Sequence, residues 1–412
     1  MKINLAFGKA FQTVNIPDGH DIKVLKPNDV EVELTNSEEV IRALEKPIGS
    51  GKLRDIAGAG EKVVIITSDI TRPLPSKYIV PYIIDELRAG GVKVEDITVV
   101  FALGSHRAHT EEEMRRLVGD DVYEQVKCID SDPDDCVHLG KTSAGTPVDV
   151  FSVVADADRR ICVGNVEYHY FAGYSGGAKA IMPGVSTRSA IQANHSKMVQ
   201  PEACAGAIEG NPVREDIEEA ARFAPIDFIV NVVLDEKKQI VYAAAGHYID
   251  AHRDVCAYLD RMYKVYMTER ADIVVVSPGG HPKDINLYQA QKALDNAKHA
   301  VKDGGTIILV ASCKEGLGEH TFERWMTQSE SPQFMVEEIA RSFELGGHKA
   351  AAIAMVLQRS RIMLVSDLDE AFVEGIFLEP QKDVQSALDA VIRDGDKIIV
   401  MPFGGSTLPK VV

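Results

Sequence analysis

Between residues 167 and 186 the chain reads EYHYFAGYSGGAKAIMPGVS, a glycine-rich run holding one lysine, Lys179. His169 lies ten residues before that lysine and His195, in ANHS, sixteen after it. A lone cation in a glycine loop suggests phosphate binding. A P-loop, however, reads G-x-x-x-x-G-K-[ST], with a hydroxyl after the lysine to hold magnesium. Here Ala178 and Ala180 flank Lys179, so the loop calls for other chemistry. Three further clusters carry reactive side chains. DITRP supplies Asp69 and Arg72, GSHRAHT supplies His106 and His109, and GGHPKDINLYQAQK supplies Tyr288, Gln289 and Lys292. His106, His169 and His195 beside a loop lysine suggest two acid/base groups and one metal ligand. No H-E-x-x-H or other zinc spacing is present.

Each cluster has a local physical reading. His106 lies just ahead of Thr110-x-x-Glu113, a capping-box pattern whose helix presents its positive end to the imidazole and favours the neutral base. His109, closer to the cap, reads as a solvated loop histidine. Pro73 pins the loop behind Arg72, whose guanidinium suits a bidentate grip on a carboxylate. Tyr288 and Lys292 are spaced i, i+4, and Gln289 and Lys292 i, i+3. The three therefore share a patch near a helix N-terminus, a seat for a carboxylate. Trp325, the only tryptophan, reads either as a pocket wall or as a packing residue, and His281 as a substrate contact or a loop residue.

These clusters fall where strands should end. KVVIITS (62–68), DITVVFALG (96–104) and RRICVGNV (159–166) are β-branched runs separated by helical stretches at 75–91 and 110–119. That alternation specifies a parallel sheet with right-handed crossovers, whose ligand sites gather at the carboxyl ends of its strands. Residues 227–246 read as a hairpin turning at 235–238. A helix is expected over 249–269, with Val255, Tyr258, Leu259, Met262 and Val265 on its apolar face. A second alternating set follows, with strands at 271–280, 305–312, 361–367 and 396–405 and helices at 285–302 and 332–344. The expected architecture is α/β with two domains, 1–269 and 270–412. Each is an open, mostly parallel sheet flanked by helices, with the active site in the cleft between them. Residues 405–412 are free to return to the first domain. No G-x-G-x-x-G follows a strand, which argues against a bound NAD.

The chain has 412 residues, 45% of them hydrophobic and 26% charged, as in a soluble globular protein. A net charge of −17 argues against nucleic acid or an anionic membrane surface as partner. No signal peptide or membrane span is apparent, and the six cysteines are scattered, as in a reducing cytoplasm.

Taken together, DITRP, LGSHR, EYHYFAGYSGGAKAIMPGVS…NHS and GGHPKDINLYQAQKAL resemble the nickel-pincer-dependent lactate racemase family, in block order and spacing, over most of the chain. The resemblance implies a racemase or epimerase of 2-hydroxy acids. It implies a cofactor made from nicotinic acid, a thiolated pyridinium mononucleotide joined to Lys179 by a thioamide. Nickel is held by one carbon and two sulfurs of that group, with His195 as the fourth ligand. His106 and His169 become the acid/base pair, and Arg72 and Asp69 support substrate and cofactor. Gly176 and Gly177 let the backbone pass close to the cofactor, and Tyr288, Gln289 and Lys292 hold the substrate carboxylate. Proteins that build the cofactor and insert nickel are implied partners. Without the resemblance two other readings stand: a metal-dependent α/β hydrolase using His169 and His195 as zinc ligands, and a non-catalytic carboxylate-binding protein using Arg72 and Lys292.

Overall fold

The computed structural model describes residues Met1–Val412, and the chain divides into two compact units. One comprises Val30–Asp260. The other joins Met1–Asp29 to Arg261–Val412.

The first unit is built on a six-stranded sheet. From one edge to the other its strands are Ile240–Gly246, Phe228–Leu234, Arg159–Asn165, Val63–Ser68, Ile97–Ala102 and Lys127–Asp130. Every neighbouring pair is parallel except the edge hairpin Phe228–Leu234 with Ile240–Gly246. Val63, Val64, Ile65 and Ile66 on the middle strand are all buried, as a strand covered on both faces requires. The helix Val80–Ala89 packs Val80, Ile83 and Leu87 into the same core. Strand order carries the functional information. From Val63–Ser68 the chain winds outward to Ile97–Ala102 and Lys127–Asp130, then returns to the other side of Val63–Ser68 with Arg159–Asn165. In open α/β sheets such a reversal, beyond the carboxyl ends of these two strands, is where ligand sites form.

The second unit holds a six-stranded, wholly parallel sheet in the order Glu379–Gln381, Arg361–Val365, Val301–Val310, Ala271–Val276, Lys397–Met401 and Asp21–Val24. The last strand corrects the expected partition, which gave residues 1–269 to one domain. Asp21–Val24 pairs with Lys397–Val400, and the hairpin Lys2–Phe7/Ala10–Asn15 inserts Leu5 and Val14 into the core formed with Val275, Val310 and Val400. An edge strand of a parallel sheet satisfies its backbone groups with any strand of matching register, near or far in sequence. Residues 1–29 therefore belong to the C-terminal unit, and the chain leaves the first unit at 260/261. The expected helix over 249–269 also ends early. Asp250–Tyr263 is helical, while Lys264–Met267 forms a strand parallel to Leu408–Val411. Val265 is thus a strand residue, because backbone pairing with the chain's end outweighs its place in the helical pattern. The same pairing keeps the last residues in the C-terminal unit. No helix is long and apolar enough to cross a membrane.

Trp325 sits in the second unit and is 8% exposed, so its fluorescence reports on that unit alone. Leu5, fully buried, gives a test of where the N-terminus belongs. Leu5→Ala is expected to lower stability by about 2–5 kcal/mol and to move the urea transition followed by Trp325 emission to lower denaturant. An unchanged Trp325 transition would place the hairpin elsewhere.

Candidate active site

Loops from three strands leave the first unit's sheet at the strands' carboxyl ends. The first follows Val63–Ser68. Asp69, 3% exposed, closes a tight turn by accepting the Thr71 backbone N–H (2.7 Å) and hydroxyl (2.5 Å) on Oδ1. Its Oδ2 receives a short bond from His106 Nδ1. Burial raises the Asp69 carboxyl, but the bonds from His106 and Thr71 outweigh it and hold the group below its usual range. Asp69 is therefore an ionised acceptor. It fixes the His106 tautomer with the proton on Nδ1 and the lone pair on Nε2.

His106 is delivered by the loop after Ile97–Ala102, and the helix behind it has the capping box that its sequence predicts: Thr110 Oγ1 accepts the Glu113 N–H while Glu113 caps the Thr110 N–H. His109 departs from expectation. Its side chain is 1% exposed, donates from Nδ1 to Asp130 Oδ1 (2.5 Å) and accepts the Ile70 N–H on Nε2 (3.0 Å). It is a buried strut beneath the Asp69 turn, placed there because Asp130 ends the neighbouring strand.

The third loop follows Arg159–Asn165. Tyr168–His169 folds back on Gly173–Tyr174, and His169 Nδ1 accepts the Ala172 N–H (3.2 Å), which puts the proton of the neutral ring on Nε2. Burial, then Lys179, His195, Arg72 and Arg214, push the His169 imidazolium well below its ordinary pKa. The ring of Phe171 meets His169 edge-on at 4.4 Å and His195 at 4.9 Å between centroids. His195 is the last residue of the helix Arg188–His195. Its Nδ1 donates to Asn194 Oδ1 (2.8 Å), and Asn194 Nδ2 donates to Asp216 Oδ2 (2.7 Å) and the Val213 carbonyl (3.2 Å). The amide orientation is thereby set, and His195 carries its lone pair on Nε2. This is the form a metal ligand needs, and an outer partner on the other nitrogen is the usual arrangement. Asp216 is itself fastened by Thr142, Thr146 and Lys197.

Lys179 lies on the short turn Gly177–Ala180, partly exposed. Burial, then Arg214 and Arg72, push its ammonium well below the ordinary lysine range. Gly176 and Gly177 have φ of +75° and +58°. A Cβ on Gly176 would sit 2.7 Å from Asn231 Oδ1 and Val166 Cγ2, and one on Gly177 2.9 Å from His252 Cδ2. The two glycines thus answer first to close packing of the loop on the protein beneath it. Arg72 is exposed, and its charge acts on both His169 and Lys179.

In the second unit, Tyr288, Gln289 and Lys292 occupy the start of the helix Leu287–Ala297, capped by Asn286 Oδ1 on the Gln289 N–H (3.0 Å). The Tyr288 ring packs on Phe322 and carries the Lys349 ammonium 3.8 Å above its centroid. Trp325 proves to be a packing residue: its Nε1–H donates to Glu344 (2.7 Å), and a Cβ on Gly347 would come within 2.4 Å of its ring. His281, exposed, meets the N-terminal hairpin through its backbone N–H and the Gly8 carbonyl (2.8 Å).

Two family models match the chain, the lactate racemase N-terminal domain over residues 7–206 and the lactate racemase C-terminal domain over residues 266–408. The chain belongs to the lactate racemase family. It is 34% identical to the lactate racemase of Thermoanaerobacterium thermosaccharolyticum, with 98% of each chain covered, and 34% identical to that of Lactiplantibacillus plantarum, with 92% of each covered. The structure of the T. thermosaccharolyticum lactate racemase apoprotein superposes with a TM-score of 0.88 at 33% identity over the whole of both chains. A Thermotoga maritima protein shares the fold at 17% identity, with a TM-score of 0.64 over 91% of this chain and 98% of its own. The present protein is accordingly an isomerase, a racemase.

Sequence reasoning on this racemase missed Asn194, Asp216, Asn231, His252 and Arg214, which hold the reactive groups from behind. Arg214 left one sign, a cation at helical spacing from Ile217 and Ala221 on a buried face.

The folded state disfavours protonated His169, so protonation costs stability as pH falls below the unfolded histidine value of about 6.5. NMR of 13C-histidine-labelled protein is expected to show His169 neutral from pH 8 to 6. Lys179→Met, which removes a neighbouring cation, is expected to move its titration upward. A His169 that titrates normally in both proteins would contradict the assigned surroundings.

Proposed function

We propose that the protein racemises lactate or a closely related 2-hydroxy acid by reversible hydride transfer, using a nickel-pincer nucleotide joined to Lys179. The observation that carries this reading is the protonation pattern of the candidate site: a lysine held toward its neutral amine, a ligand-form His195 braced by Asn194 and Asp216, and two further histidines with defined tautomers. An amine joined to a carboxyl-derived group loses its charge, and surroundings that disfavour an ammonium accept that product readily. No three His, Cys, Asp or Glu side chains converge as metal ligands, so a metal at His195 would take its remaining ligands from a bound group. Soft sulfur donors with one imidazole suit nickel. When bound, the cofactor supplies an electrophilic carbon that accepts the substrate's α-hydrogen as hydride.

The chain's own residues do the rest. The α-hydrogen of a 2-hydroxy acid is too weakly acidic to leave as a proton, so it leaves as hydride while a base takes the hydroxyl proton. His106 Nε2, with Asp69 stabilising the imidazolium that forms, serves one hydroxyl orientation. His169, on the other loop, serves the opposite one: it enters that half-reaction as the imidazolium, which loss of the Lys179 charge on cofactor attachment makes accessible, and gives its Nε2 proton to the alkoxide after the keto acid has turned. The charge of Arg72 stands beside His169 and favours the developing alkoxide. Gly176 and Gly177 carry the backbone past the cofactor, and Tyr288, Gln289 and Lys292 hold the substrate carboxylate while the carbonyl carbon rotates. The six cysteines are all free, as suits a cytoplasmic protein loaded by cofactor-building and nickel-inserting partners.

The deciding experiment combines intact mass, metal content and a chiral assay on protein produced with those partners. A mass addition on the Lys179 peptide, stoichiometric nickel and interconversion of the lactate enantiomers are expected. Zinc with no addition would instead indicate a hydrolase-type metal site. Lys179→Ala is expected to abolish both addition and turnover. His106→Ala and His169→Ala are each expected to retain the addition and lose racemisation by at least 100-fold, the usual scale for a positioned acid or base. Asn194→Ala removes the bond that orients His195, and nickel affinity is expected to fall by about 10–100-fold.

A further inference from the structure

Arg214 is the largest fully buried side chain in the protein, and nothing in the mechanism above uses it. It rises from the helix Pro212–Ala220 beneath the glycine loop. Its guanidinium donates along the loop: Nε to the Ala172 carbonyl (3.3 Å), Nη2 to Tyr174 by a short bond, and Nη1 to Gly176 (3.5 Å). Its nearest carboxylate, Glu218, is 3.9 Å away and is engaged bidentately by Arg253 at 2.8 Å. His252 and Asn231 complete the frame, taking the Ser175 carbonyl and the Gly177 N–H at 2.8 Å each. The loop's Ser175 and Tyr174 side chains tie it to Asn165, Glu167, Gly206 and Asp260, while its carbonyls at Ala172, Tyr174 and Gly176 are held from below by one planar fork of donors.

We propose that Arg214 is the positioning residue for Lys179: its enclosed guanidinium holds the Ala172, Tyr174 and Gly176 carbonyls in the shape that presents the lysine. The inference rests on Lys179 being the tether. The charge of Arg214 contributes as well as its geometry. It is poorly compensated by Glu218, and it opposes a second cation on the turn just above. A neutral group fastening the same carbonyls would shape the loop without that second effect.

The test needs neither cofactor nor turnover. Full-length protein made without the cofactor-building partners is treated with limiting acetic anhydride between pH 6 and 10, and each lysine's rate is followed by peptide mass spectrometry. In each event the Nζ lone pair forms the new N–C bond, the acyl–oxygen bond breaks, acetate leaves and the amine's proton passes to water. In the wild type, Lys179 is expected to react at pH 7 at least tenfold faster than the mean surface lysine. In Arg214→Gln its rate is expected to fall at least fivefold while the other lysines keep theirs, which distinguishes positioning from general loosening. Arg214→Lys, which keeps a cation but not the fork, is expected to lie between, and it decides the matter should Arg214→Gln fail to fold. A wild-type Lys179 that reacts like a surface lysine overturns the proposal. A folded variant that matches the wild type overturns it too. A mass addition on Lys179 in loaded protein alongside such a result would leave the tether standing and remove only Arg214, so the two readings fail separately.

Discussion

A parallel sheet that grows outward from its middle strand must reverse direction once, and the reversal leaves two adjacent strand ends with no connection crossing between them. In Val30–Asp260 that happens beside Val63–Ser68, where the chain returns with Arg159–Asn165. Part of the candidate site hangs from that gap. The Asp69 turn leaves from one side, and the hairpin bearing His169 and the turn bearing Lys179 leave from the other. The buried β-branched strands beneath are rigid, so the loops inherit a fixed base. Loop chemistry of this precision depends on struts as much as on the sheet: His109 under the Asp69 turn and Asn194 with Asp216 behind His195.

The two candidate acid/base histidines take opposite hydrogen-bond roles at Nδ1. His106 donates a hydrogen bond from Nδ1 to the Asp69 carboxylate. His169 accepts a backbone N–H and sits among cations, an arrangement that resists a second proton on the ring. Joining Lys179 to a carboxyl-derived group would remove one of those cations. Cofactor attachment as proposed would therefore raise the basicity of His169.

Much of this was legible in the chain. Period-two and β-branched patterns place the strands, and the clusters at their ends mark the loops that carry the candidate site. The capping box at Thr110 is local chemistry, so it reads directly from four residues. What stayed hidden depends on tertiary neighbours. Nothing near His109 in sequence announces Asp130 as its partner, and nothing in NPVRED announces that Arg214 points inward to three carbonyls. The helical pattern of 249–269 is genuine up to Tyr263, and only pairing with residues 408–411 ends it. The domain partition failed for the same reason, since a strand four residues long carries no record of which sheet it completes.

Asp21–Val24 has a consequence for synthesis. Its partner, Lys397–Met401, lies near the other end of the chain, and at about 5–20 residues per second the ribosome delivers it tens of seconds later. Until then the first 29 residues have no sheet to join, while Val30–Asp260 emerges complete as an insert within its neighbour. The unit bearing Lys179 is thus the first to be whole on the ribosome, and the unit that embraces it in sequence is the last to close.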